Sequence, residues 1–264
     1  MDSLILVLLF ITGLMAGIIG GLLGTGGCVV MLPALVYLFN YPLPIAIGTT
    51  ITAVILTAAS GTIAHLKIKN VDFKTVKVVG VSGGIGAVVG SILFFYLVSE
   101  IWLLNLILGF AFLYVSLRMI YEGAKRPKII GEEKKEIPGS SISKSLIGFI
   151  IGVITGIVGL GGGYALVPSF IYLLNSSVKI AVGTSLPSFI SMAIISGTFK
   201  WYQGLVDILA AIALGIGTII GAQFGARIVP KAPAWAIKLI FGLVFLYVSL
   251  KFIFHGFRIS IPGF

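Results

Sequence analysis

Two stretches hold the residue types best suited to chemistry in this chain: "GTGGCVVMLP" at 24–33 and "GLGGGYALVP" at 159–168. Glycine is about 1 kcal/mol worse than alanine inside a helix, and a proline a turn and a half later removes one more backbone hydrogen bond. Each stretch therefore predicts a helix that breaks and restarts. The free amides of the restarted half, with the positive end of its dipole behind them, suit an anion without any formal charge. A second recurring element, "IAIGTTITA" at 45–53 and "IAVGTSLPS" at 180–188, sets hydroxyls beside a glycine. Such hydroxyls can donate to an oxyanion or bond back to their own helix. The candidate binding set is Thr25, Gly26, Gly27, Cys28, Thr49, Thr50, Gly161, Gly162, Gly163, Thr184 and Ser185, with His65 and Lys200 as contributors of charge.

Glycines elsewhere read differently. Gly13, Gly17 and Gly21, with Gly148, Gly152 and Gly156, form small-xxx-small stripes that let membrane helices touch. Gly27 and Gly162 are expected instead to face a cavity, so that a side chain at either should block a ligand and spare the fold, with Gly17 and Gly152 as the packing contrast.

Ionisable residues fix the sign of any ligand. Asp2, Asp72, Glu100, Glu122 and Asp207 fall at or near segment ends, and Glu132, Glu133 and Glu136 fall in a linker, so a cation would find no counter-charge at mid-membrane. His65 and Lys200 end corresponding helices, where snorkelling to an interface is expected. Asp72 and Asp207 align near helix starts and read as structural acids complementing a dipole. Cys28 aligns with Gly163, a position that asks for a small residue. As the single cysteine it excludes an internal disulfide and any multi-Cys metal site. There is no Ser/His/Asp set, no HExxH and no GK[ST] phosphate loop, so no enzyme, no cofactor and no metal is expected.

The elements that must position these residues are membrane helices. Apolar residues make up 58% of the 264, charged residues 10%, and the mean hydropathy is +1.17. These values describe a chain embedded in a lipid bilayer. Most apolar stretches reach the roughly 20 residues needed to cross, and lipid leaves the backbone no partner outside a helix. The 18 basic residues against 8 acidic ones sit in connecting loops, where they set orientation, and no nucleic-acid partner is expected. Met1, Asp2 and Ser3 with no cleavage pattern behind them read as the start of a retained helix.

The chain repeats itself. Residues 13–54 and 148–189 share 15 identities in 42 positions at an offset of 135, and 109–120 matches 242–253 in 8 of 12 positions at an offset of 133. The expected organisation is a repeat 1 bundle over 1–122, a linker over 123–144 and a repeat 2 bundle over 145–264. The fold class is an all-α polytopic membrane protein of two homologous tandem repeats, four to five transmembrane segments each, opened by Gly-rich broken helices. Four lysines in 65–77 and six basic residues between 123 and 145 place both segments on the cytoplasmic side of the cell membrane. Five spans per repeat would make the repeats inverted and four would make them parallel; homo-oligomerisation is left open.

These motifs carry a family resemblance. "GLGGGYALVP" with "AVGTSLPSF", "GTGGCVVMLP" with "AIGTTITA", and "SGTIAHLKIKNVDF" with its His65, Asn70, Val71 and Asp72 resemble the TauE/SafE sulfite exporters, also called four-toluene sulfonate uptake permeases, over nearly the whole chain. The chain departs from the pattern at Cys28 and in the second copy beside Trp201, where the histidine is lacking. The resemblance implies a secondary transporter for a small sulfur-containing anion such as sulfite, thiosulfate, sulfoacetate or another organosulfonate. Combined with the repeats, it leads to a site near the midplane at the repeat interface, worked by alternating access. Other readings of the same residues are a passive anion channel and a non-transporting membrane scaffold or sensor.

Overall fold

The computed structural model of the chain describes residues 3–23, 27–67, 69–125, 136–160, 162–228 and 234–259. Thr25, Gly26 and Gly161, and the linker positions 126–135, lie outside them. All regular structure among the described residues is helical: α1 (Ser3–Leu23), α2 (Cys28–Tyr37), α3 (Leu43–Lys67), α4 (Phe73–Leu97), α5 (Ile101–Lys125), α6 (Ser141–Val158), α7 (Gly163–Pro168), α8 (Val178–Tyr202), α9 (Ile208–Ile228) and α10 (Ala234–Gly256). Seven of these carry segments long and apolar enough to cross a membrane, within α1, α3, α4, α5, α6, α8 and α10. The protein is a multi-pass membrane protein. The ten residues of α2 rise about 15 Å, half of a roughly 30 Å hydrocarbon core.

Local sequence explains where the second break starts and ends. Ser140 caps α6 by accepting from Ser143 N–H at 3.1 Å. Gly159 closes it in the left-handed region, φ 66°, a conformation that glycine alone adopts at no steric cost. α7 then runs into Pro168, and the next turn, Ser169–Leu173, widens to π geometry. Proline supplies no N–H to the carbonyl four residues back, and a wider turn accommodates that loss.

The chain forms two compact units. One holds α1 to α3, α6 to α8 and most of α4 and α9; the other holds α5 and α10. In the first, α3 and α8 pack along each other in opposite directions. At one end the backbone of Gly48 meets Leu205, at the other that of Gly183 meets Asn70, and the two contacts are related by the same offset of 135. α1 lies on α9, where a Cβ on Gly17 would stand 2.7 Å from Thr218 Cα; α6 lies on α4, where a Cβ on Gly148 would stand 2.8 Å from the Val79 carbonyl oxygen. The stripe glycines thus let backbones touch, as their spacing predicts.

The second unit follows the same logic. Gly109 of α5 meets Ile253 of α10 and Gly242 of α10 meets Ile120 of α5, so these two helices, which match in sequence, are also antiparallel. Ser249 Oγ donates to the Gly109 carbonyl at 2.9 Å, and Phe112 stacks on Phe252 with ring centroids 5.7 Å apart.

Candidate functional site

The hydroxyl element at the start of α3 and α8 is built from matched staples. Asp207 N–H donates to Thr49 Oγ1 at 3.0 Å, and Asp72 N–H donates to Thr184 Oγ1 at 3.0 Å. Each threonine therefore ties its own helix start to the far end of the other repeat's equivalent helix. Both are fully buried. Ser185 Oγ donates back to Val182 O at 2.9 Å. Of the described hydroxyls proposed for a ligand, Thr50 Oγ1 is the one that is buried without a hydrogen-bond partner, a condition that in native proteins asks for an explanation.

The two acids are structural, as their alignment predicts. Asp72 caps α4, its Oδ1 accepting from Lys74 N–H and Thr75 N–H, and its Oδ2 from Thr75 Oγ1 at 2.6 Å and Ile137 N–H at 3.0 Å. Burial alone would raise its carboxyl, but the bonds from Thr75 and Ile137 and the nearby charge of Lys144 hold it below the usual carboxylate range. Asp207 caps α9 through Ala210 N–H and takes a bond from the Tyr41 hydroxyl at 2.8 Å. Burial and the Asp207 carboxylate push that phenol up to about 12. Beside it opens a cavity of about 470 Å³ lined by Phe39, Asn40, Tyr41, Pro42, Ile45, Gly204, Val206 and Asp207.

The two histidine and lysine positions part company. His65 is half-buried, with Nδ1 sharing a hydrogen with Asn70 Oδ1 at 3.1 Å, and Asn70 Nδ2 donates to Lys179 O at 3.1 Å. Lys200 does not snorkel. It is 0% exposed, and its ammonium donates to the Gly156 carbonyl and to Ser196 Oγ at 3.1 Å. Gly156 lies in the last turn of α6, where carbonyls lack helical partners and the dipole favours a cation. Sequence reasoning placed Lys200 at an interface because it ends a span; the signal it passed over was a glycine-broken helix whose carbonyl end needed a donor.

The breaks themselves are packed. Gly27 has φ 80° and its missing Cβ would fall 2.7 Å from Ala16 O, while a Cβ on Gly162 would fall 2.5 Å from the Phe189 ring. The expectation that these two face an open cavity does not hold, because backbone or ring already fills the space. Cys28 and Gly163 are buried at the first positions of α2 and α7. Gly159 abuts Ile47 of α3, so the second break lies against the opposite repeat. No cluster of three metal-ligating side chains occurs among the described residues.

Comparison with known proteins agrees with this architecture. Residues 9–252 match the sulfite exporter TauE/SafE family. The chain is 29% identical to the probable membrane transporter protein YunE of Bacillus subtilis, over 95% of this chain and 98% of that one. It is 27% identical to YdhB of the same organism, over 88% and 93%, and 27% identical to MJ0441 of Methanocaldococcus jannaschii, over 94% and 96%; both bear the same description. No solved structure gives a significant match. The chain belongs to the TauE/SafE sulfite exporter family of membrane transporters.

Proposed function

We propose that the chain is a secondary transporter, not an enzyme, for a small sulfur-containing anion: sulfite, thiosulfate, sulfoacetate or another organosulfonate. The anion binds within the first unit, where the broken helices meet the opposite repeat, and crosses by alternating access. The observation that carries this reading is electrostatic. α1 to α4 and α6 to α9 contain no Asp or Glu, yet they hold a fully buried lysine at the second break. A site of that sign repels cations and attracts anions.

The antiparallel pairing of equivalent helices supports an inverted repeat, the arrangement on which many secondary transporters build a shared central site. The ligand set retains the glycine amides, with Thr50 as the hydroxyl still to be satisfied. Counterflow in proteoliposomes tests the proposal. Vesicles loaded with unlabelled sulfite or thiosulfate are expected to accumulate the labelled anion transiently. A passive channel would equilibrate without overshoot, and a chain that exchanges no sulfur anion would end the reading.

A further inference from the structure

We infer that Lys200, Ser196, Thr155 and Ser91 form an oxyanion subsite, the charged half of the binding site, which opens when the end of α6 parts from α8; this deepens the transport reading above and rests on it. Three helices of the first unit contribute. Lys200 and Ser196 come from α8, Thr155 from α6 and Ser91 from α4. All four side chains are 0% exposed. Lys200 Nζ contacts Gly156 O and Ser196 Oγ, and Ser196 Oγ reaches Thr155 O at 3.4 Å. Ser91 closes the group from α4: its backbone nitrogen lies 2.7 Å from where a Cβ on Gly156 would stand.

Two features point to a ligand rather than to a structural clamp. Thr155 Oγ1 and Ser91 Oγ are buried with no hydrogen-bond partner, and a clamp between Lys200 and a carbonyl has no use for either. An oxyanion has several acceptor oxygens and satisfies an ammonium and three hydroxyls together. The second feature is asymmetry. At the offset of 135 the equivalents of Lys200, Ser196, Thr155 and Ser91 are His65, Gly61, Gly20 and Ala226. Packing symmetry alone would not enrich one copy in buried hydroxyls. The sequence holds no hydroxyl at the three symmetry-related positions Gly61, Gly20 and Ala226, an asymmetry that suits one bound anion. In the closed state described here the Gly156 carbonyl occupies the ammonium, and the incoming anion replaces it.

The test uses the full-length protein in detergent and in proteoliposomes, with sulfite, thiosulfate, phosphate and chloride as probes and glycerol as the neutral control. Ser91→Ala and Thr155→Val remove hydroxyls that have no partner in the closed state, so the unliganded melting temperature should hold or rise. The anion concentration giving half-saturation should climb about tenfold, the scale of a lost hydrogen bond to a charge. Lys200→Met should abolish the anion-induced thermal shift, and Lys200→Arg should retain part of it. If the wild type responds to an anion and Ser91→Ala and Thr155→Val respond at the same concentrations, the subsite is overturned while transport stands. If only phosphate or chloride acts, the sulfur reading falls and the subsite is judged with that anion. If no probe acts on the wild type, both fall.

Discussion

A hydroxyl beside a glycine in a membrane helix can serve a ligand or the fold, and at Thr49 and Thr184 it accepts a bond that holds the fold. Each accepts from the backbone N–H of an aspartate that caps the following helix of the other repeat. The recurrence of "GT" was legible in the sequence; its partner, more than a hundred residues away, was not, because hydrogen bonds between distant segments leave no local pattern. Asp72 gives this scale its prediction. Its carboxylate, 4% exposed, sits below the usual carboxylate range through bonds that exist only in the folded chain. A depressed acid contributes stability that is fully present above its unfolded value, about 3.9, and lost as pH falls through the lower folded value. Asp72→Asn is therefore expected to lower the melting temperature at pH 7, by an amount equivalent to about 1–3 kcal/mol, and to flatten the acid limb below pH 5. Parallel melting curves for variant and wild type between pH 3 and 7 would contradict the assignment.

Elements show where the sequence could and could not be read. Breaks at both Gly-rich stretches were legible because glycine density and a trailing proline act locally, and α2 and α7 begin within a few residues of the expected points. What the glycines face was not legible. A tight approach and an open cavity both call for a missing side chain, and only tertiary packing decides between them. Gly27 backs onto the Ala16 carbonyl and Gly162 onto the Phe189 ring. Gly27→Val and Gly162→Val are thus expected to destabilise, as Gly17→Val is, by at least the 1–3 kcal/mol typical of overpacking. Gly27→Val should cost more, since it combines a backbone clash with a φ of 80° that a β-branched residue avoids. The Phe189 ring can turn aside, whereas a carbonyl cannot. Melting temperatures near wild type in both variants, with transport lost, would restore a cavity-facing role.

For the whole molecule the question is which way the chain faces. Several contacts gather one end of the first unit. Lys74 Nζ pairs with Glu136 Oε1 at 2.9 Å, Asp72 takes the Ile137 N–H at 3.0 Å, and Thr184 takes that of Asp72. The lysine-rich loop after α3, the C-terminal end of the linker and the start of α8 therefore share a face. Because α8 and α6 both start there, α6 and α7 together leave and return to the same face, and α8 carries the chain across to Tyr202. The density of lysines predicts that the shared face is cytoplasmic, and Tyr202, 92% exposed, is then expected outside. The sole native cysteine, Cys28, is buried and gives little background. Single-cysteine variants at Lys74 and Tyr202 should then separate in intact cells: an impermeant maleimide labels position 202 and leaves position 74 unlabelled until the cells are opened. Labelling of both from outside, or of position 74 alone, would overturn the orientation. The first outcome would also break the antiparallel pairing of α3 with α8, since a helix that starts beside Lys74 and ends at Tyr202 must put those two positions on opposite sides of the bilayer.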